Sequence, residues 1–156
     1  MTHGIEIGEQ VIDTTIALNH FGNIPGYGIL ESSAQGSRRN SYTNNKFANI
    51  GLAAAYLQQR SSSFSGNTIA ASNLFGGSAT IMLAANASMI SVNFNQAQLS
   101  DPSSATGIKV APGDSKFLKL IGNSFGCETG GADRADVCVD VSGVQANTHN
   151  DIAFNQ

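Results

Sequence analysis

The sequence predicts an all-β fold, a parallel β-solenoid of about six coils running through residues 1–156 as one domain. Three observations carry that expectation. Phenylalanine returns in similar settings (LNHF, NNKF, SNLF, SVNF, GNSF and DIAF) at Phe21, Phe47, Phe75, Phe94, Phe125 and Phe154, in steps of 26, 28, 19, 31 and 29 residues. Asparagine stands two places ahead of it at Asn19, Asn45, Asn73 and Asn123. Between these marks runs a second series of short apolar segments, and two series sharing one drifting period mark a repeat architecture.

The elements of the second series follow in order. GIEI (4–7), GIL (28–30), AAYL (54–57), TIML (80–83), GIKV (107–110) and VCVDV (137–141) are each long enough for one short strand. Aligned on Ile5, Ile29, Tyr56, Ile81, Ile108 and Val139, they step by 24, 27, 25, 27 and 31 residues. The intervening segments TTIALNHF, TIMLAANASMISVNF and KFLKLIGNSF alternate or are β-branched, which is the strand pattern. Glycine, serine and asparagine interrupt every segment too often for helical repeats. GLAAAYLQQR (51–60) is the one stretch that reads as a short helix or a flat contact surface.

Coils stacked at about 4.8 Å place equivalent residues in ladders along the axis. Phe21, Phe47, Phe75, Phe125 and Phe154 are expected to point inward, and Asn19, Asn45, Asn73 and Asn123 to line one turn. Asparagine suits that place because it tolerates left-handed backbone and bonds to copies of itself above and below.

Composition agrees. Charged residues are 12% of the chain, about half the usual share, while 41% are hydrophobic, so the surface is neutral and polar over a real core. The net charge of −3 carries no basic nucleic-acid footprint. No apolar run reaches the ~20 residues of a membrane span, and MTHGIEIGEQ lacks the basic and apolar regions of a secretory leader. Cys127 and Cys138 fit no zinc spacing. They read either as idle thiols or as a disulfide pinning a glycine-rich loop, which would stabilise by roughly 3 kcal/mol.

The pattern of "GIxV", a turn, "IxxNxF" and a turn resembles the right-handed parallel β-helix family of pectate lyases, polygalacturonases and phage tailspikes. The resemblance covers nearly the whole chain. It implies an extracellular or virion-surface location, polysaccharide as partner, and a homotrimer or a larger parent chain. A strand begins almost at once and the chain stops soon after its last phenylalanine, so a piece of a longer protein or a subunit of an assembly is expected.

The family's chemistry is not written in the expected places. The paired aspartates and the Arg-Ile-Lys of polygalacturonases are absent, and Arg38, Arg39, Arg60 and Arg134 have no proline in a pectate-lyase spacing. Outward positions of the first strand series are Glu6, Leu30, Met82, Lys109 and Asp140, with acid only at the two ends. Asp133, Asp136 and Asp140 cluster as a solvated loop rather than a cation site, and His149 with Asp151 as a surface turn rather than an oriented base. No P-loop, dinucleotide fingerprint or nucleophile elbow is present, so neither cofactor nor metal is expected.

Carbohydrate binding needs less: aromatic faces for sugar rings and a few charges. Tyr27, Tyr42 and Tyr56 fall in successive coils near Arg38, Arg39 and Arg60, a basic aromatic strip suited to an acidic glycan. The functional expectation is therefore a tailspike-like or adhesin-like module that binds surface polysaccharide or supports trimer assembly. The alternative is a lyase or glycoside hydrolase acting on an acidic polysaccharide, on the solenoid face or between subunits.

Overall fold

The computed structural model describes residues 1–32, 38–72, 74–75, 79–85, 87–99, 106–127, 137–142 and 150–153. Phe154, Asn73, His149, Asp133 and Asp136, and the side chains of Cys127 and Cys138, lie outside what it describes.

The chain is a parallel β-solenoid. In order, the strands are β1 (Ile5–Ile7), β2 (Thr15–Ala17), β3 (His20–Ile24), β4 (Ile29–Glu31), β5 (Ser41–Thr43), β6 (Lys46–Ile50), β7 (Ala55–Leu57), β8 (Ser63–Ser65) and β9 (Thr68–Ala70). They continue as β10 (Ile81–Leu83), β11 (Ser91–Asn93), β12 (Gln96–Leu99), β13 (Thr106–Val110), β14 (Lys119–Ile121), β15 (Ser124–Cys127), β16 (Val137–Asp140) and β17 (Asp151–Ala153). Every third strand pairs, giving a first sheet β1-β4-β7-β10-β13-β16, a second β2-β5-β8-β11-β14-β17 and a third β3-β6-β9-β12-β15. Among the described residues that makes five three-strand coils and two strands of a further one. Residues 51–60 hold no helix: Ala53, Ala54, Ala55 and Leu57 are buried in and beside β7.

Alternation within each strand sends one column of side chains inward. In the first sheet Ile5, Ile29, Ala55, Ile81, Ile108 and Val139 are register partners, so the aligned series matches the ladder except that Ala55, not Tyr56, stands in the third rung. In the second sheet Tyr42, Phe64, Val92 and Leu120 fill the core. In the third sheet the column is Phe21, Phe47, Ile69, Ala97 and Phe125. Phe21 stacks on Phe47 at 4.8 Å and 8°, and Phe47 meets Phe64 at 5.7 Å.

Two members of the phenylalanine series are therefore not in the core. Phe75 is 65% exposed, and Ile69 takes its place. Phe94 is a turn residue, 67% exposed, and Ala97 holds its rung. The true ladder of asparagines is Asn19, Asn45, Asn67, Asn95 and Asn123. Each asparagine after Asn19 accepts the backbone N–H of the one before it on Oδ1, at 2.9–3.1 Å. The Nδ2 of Asn45, Asn67, Asn95 and Asn123 donates to Ile16, Tyr42, Phe64 and Val92 carbonyls respectively. These side chains satisfy backbone groups that a sharp corner would otherwise leave buried and unpaired.

Why the chain can turn so sharply is visible in the residue just before each asparagine. Leu18, Asn44, Gly66, Phe94 and Gly122 all have φ between +54° and +65°. A second corner, ahead of the second sheet, uses Asp13, Arg39, Ser61, Met89 and Phe117 at φ between +56° and +62°. A third uses Asn23, Asn49 and Ala71 at φ 55°. A left-handed residue at each of these positions redirects the strand without breaking the ladder, and the first coil carries a second one, Gln10 at φ 62°, in its turn into the second sheet.

Candidate functional site

The six residues of the sequence-derived strip do not share one fate. Tyr27 and Tyr56 come together on the outside of the first sheet, ring centroids 5.4 Å apart and tilted by 39°. His3 extends the pair, stacking on Tyr27 at 5.5 Å and 21°, while the Tyr27 backbone N–H donates to His3 Nδ1 at 3.1 Å. Gly26 permits this approach, because a Cβ there would fall 2.5 Å from His3 Nδ1. Burial, and secondarily the neighbouring Tyr56, raise the Tyr27 hydroxyl pKa above its ordinary value.

Arg38 and Arg60 are also brought together. They are exposed partners in a run of parallel bridges, Ile12–Arg38–Arg60, at the corner between the first and second sheets. Tyr56 and Arg60 sit on one coil, at most about 13 Å apart along the chain. Tyr56 thus stands on the outer face of the first sheet with Tyr27 just ahead of β4, and the Arg38–Arg60 rung lies at the corner that follows β4 and β7.

Arg39 is turned to another task. Its Nε and one terminal nitrogen donate to the two Asp13 carboxylate oxygens at 2.6 and 2.7 Å, across adjacent coils. The Arg39 hydrogen bond holds the Asp13 carboxyl below its ordinary range. The Asp13 carboxylate neutralises the Arg39 charge and takes two of its five N–H donors.

Tyr42 is a correction. The alternation Ser41–Tyr42–Thr43 places its ring inward, fully buried, with the hydroxyl donating to Glu31 Oε1 at 2.8 Å. It cannot present a face to a sugar.

Glu31 was not singled out in the sequence, although Ile29-x-Glu31 already puts it on the inward face. It stands in register with Ile7, buried, in a column otherwise apolar. Its Oε1 accepts from Tyr42 and from Ser62 Oγ at 2.6 Å, and its Oε2 accepts from the Gln58 and Gln59 backbone N–H groups at 2.7 Å. Burial pushes its pKa up, against the pull of those four donors. With Tyr42 on its own coil and Gln58, Gln59 and Ser62 on the next, it ties adjacent coils together.

The outward row of the first sheet is Glu6, Leu30, Tyr56, Met82, Lys109 and Asp140 in register, as the strand pattern implied, with Tyr56 filling the third rung. Five rungs, about 24 Å, separate its two acids, against the ~5–9 Å of a glycosidase pair. The Ser142 backbone N–H lowers the Asp140 pKa. Among the described residues no cluster of three or more His, Cys, Asp or Glu could hold a metal ion, and no helix is long and apolar enough to cross a membrane.

The chain matches no family model, no curated protein and no solved structure.

Proposed function

We propose that this solenoid is a non-catalytic module that binds an acidic surface polysaccharide along the outside of its first sheet, outside a cell or on a virion. One observation carries the reading: the half-exposed Tyr27–Tyr56 pair stands on the outside of the first sheet, and the exposed Arg38–Arg60 rung lies at the corner its strands lead into. Aromatic faces stack on sugar rings, and paired guanidinium groups bind carboxylates with directional bonds. The separation of Glu6 from Asp140 favours binding over hydrolysis on this face.

The test is retardation in native gels cast with polygalacturonate or alginate, read at increasing salt. Arg38→Ala with Arg60→Ala is expected to weaken binding and flatten its salt dependence, because salt screens exposed charges. Tyr56→Ala is expected to weaken binding and leave the salt dependence unchanged. Equal retardation of all variants would overturn the reading, and release of unsaturated products or new reducing ends would replace it with lyase or hydrolase chemistry.

A further inference from the structure

The outside of the first sheet keeps its charges apart. Arg38 and Arg60 stand exposed at the corner that follows β4 and β7. Glu6, the outward residue of β1, is exposed on the coil before them, in register with Leu30, which is in register with Tyr56. Two rungs, about 10 Å, separate Glu6 from Tyr56. Glu9, exposed in the turn after β1, adds a second acid to the same coil. The ion pairs among the described residues, Arg39 with Asp13 and Lys116 with Asp114, leave Glu6 out. Further along the axis, Lys109 and Asp140 are register partners of opposite sign.

His3 stands on the acidic coil, three residues before Glu6, and is held from both sides. The Thr2 carbonyl accepts the Gly26 N–H at 3.0 Å, and the Gly4 N–H donates to the Tyr27 carbonyl at 3.0 Å. The imidazole lies against Tyr27, and its Nδ1 accepts the Tyr27 N–H. A ring nitrogen that accepts carries no proton, so the proton sits on Nε2. Among the described residues that Nε2 has no hydrogen-bond partner. The half-exposed ring therefore presents a fixed donor beside Tyr27, with an acceptor-only carboxylate at Glu6, at most about 10 Å on along the chain.

A donor and an acceptor beside an aromatic ring suit a neutral sugar, whose hydroxyls both give and take hydrogen bonds. A uronate in that place would set its carboxylate against Glu6, and like-charge contact discriminates by repulsion. Arg38 and Arg60 have the opposite preference, since guanidinium groups match carboxylates. We propose that the strip takes an acidic polysaccharide in which neutral sugars separate the charged ones, a neutral sugar lying at His3, Tyr27 and Glu6 and a uronate at Arg38 and Arg60. This rests on the acidic-glycan reading and adds to it which polymers qualify. Charge density alone would favour a polymer charged at every sugar, so a preference for the spaced polymer has to come from the uneven face.

The experiment is native gel electrophoresis of the whole chain in two sets of gels. One set holds polygalacturonate or alginate, charged at every sugar, and the other hyaluronan or gellan, in which neutral sugars intervene. Wild-type protein is expected to be retarded by hyaluronan or gellan at about tenfold lower polymer concentration. Glu6→Gln is expected to strengthen retardation by polygalacturonate and alginate and so narrow that gap. His3→Asn keeps an acceptor for the Tyr27 N–H and lacks the Nε2 donor. It is expected to weaken retardation by the spaced polymers about fivefold at unchanged Tm. His3→Gln, whose amide nitrogen reaches the place of Nε2, is expected to bind better than His3→Asn; the reverse order would mean that His3 only props Tyr27. The proposal falls if polygalacturonate or alginate retards wild-type protein as well as the spaced polymers do, or if Glu6→Gln leaves the gap unchanged. In either case weakened binding by Arg38→Ala with Arg60→Ala would still uphold the acidic-glycan reading. If no acidic polymer retards the wild-type chain, that reading falls and this inference with it.

Discussion

Replacing Asn67 by alanine isolates what the corner ladder contributes. The Asn67 side chain is buried and takes part in four hydrogen bonds. Its Oδ1 accepts from the Asn45 backbone N–H at 2.9 Å and from Asn45 Nδ2 at 3.2 Å. Its Nδ2 donates to the Tyr42 carbonyl at 3.1 Å and to Asn95 Oδ1 at 2.9 Å. Alanine removes all four at once. Asn45 Nδ2 keeps the Ile16 carbonyl and Asn95 Oδ1 keeps the Asn67 N–H, so the Asn45 backbone N–H bears the heaviest loss. Four bonds at about 1 kcal/mol each, one of them leaving a buried donor unpaired, put the cost near 4 kcal/mol. Urea unfolding at a single temperature, followed by far-UV circular dichroism, reads it as a fall in midpoint at constant slope. A cost below about 1 kcal/mol would mean that water replaces the side chain and that the ladder decorates the corner without holding it.

Two further outcomes follow from the core and from its buried acid. Phe47→Ala is expected to cost about 3–5 kcal/mol, and Phe75→Ala, exposed on the same solenoid, to cost under about 1 kcal/mol; comparable losses in urea would refute the rung assignment. Glu31 has a folded pKa raised above its ordinary value by burial, so the native state binds the extra proton. Its contribution is fully present below the ordinary carboxyl range and is lost as pH climbs through the raised value. Glu31→Gln keeps an acceptor for the Gln58 and Gln59 N–H groups and can donate to rotated Tyr42 and Ser62 hydroxyls, so the variant folds and loses that dependence. A difference in urea midpoint between wild type and Glu31→Gln that does not change with pH would contradict this.

The repeat could be read from residues because strand alternation is local. Ile5, Ile29, Ile81, Ile108 and Val139 fall in register as spaced, and Glu6, Leu30, Met82, Lys109 and Asp140 face outward as alternation requires. Asn19, Asn45 and Asn123 were recognisable as ladder members for the same reason: each lies two places before an inward phenylalanine. The same rule, applied to Ser41–Tyr42–Thr43 and Ile29–Leu30–Glu31, already points Tyr42 and Glu31 inward, and only a preference for polar atoms at the surface argues otherwise.

Phase between coils is another matter. The asparagines of the ladder step by 26, 22, 28 and 28 residues because the loops between strands absorb any length. A phenylalanine at a plausible spacing can then be a core rung, as Phe47 is, or a surface residue, as Phe75 and Phe94 are. Hydrogen-bonded stacking chose Ile69 and Ala97 for those rungs, since Asn67 and Asn95 present a side-chain oxygen to the coil before, whereas Asn93 presents its own to the coil after. Stacking across coils likewise tied Arg39 to Asp13, 26 residues away, and set Arg38 beside Arg60. It also bent the backbone left-handed beneath Phe94 and Phe117. Alternation along one strand is a property of neighbouring residues and is visible in order. Register, pairing and corner geometry depend on which coil lies above which, and that is settled only when the chain has closed each turn on the one before.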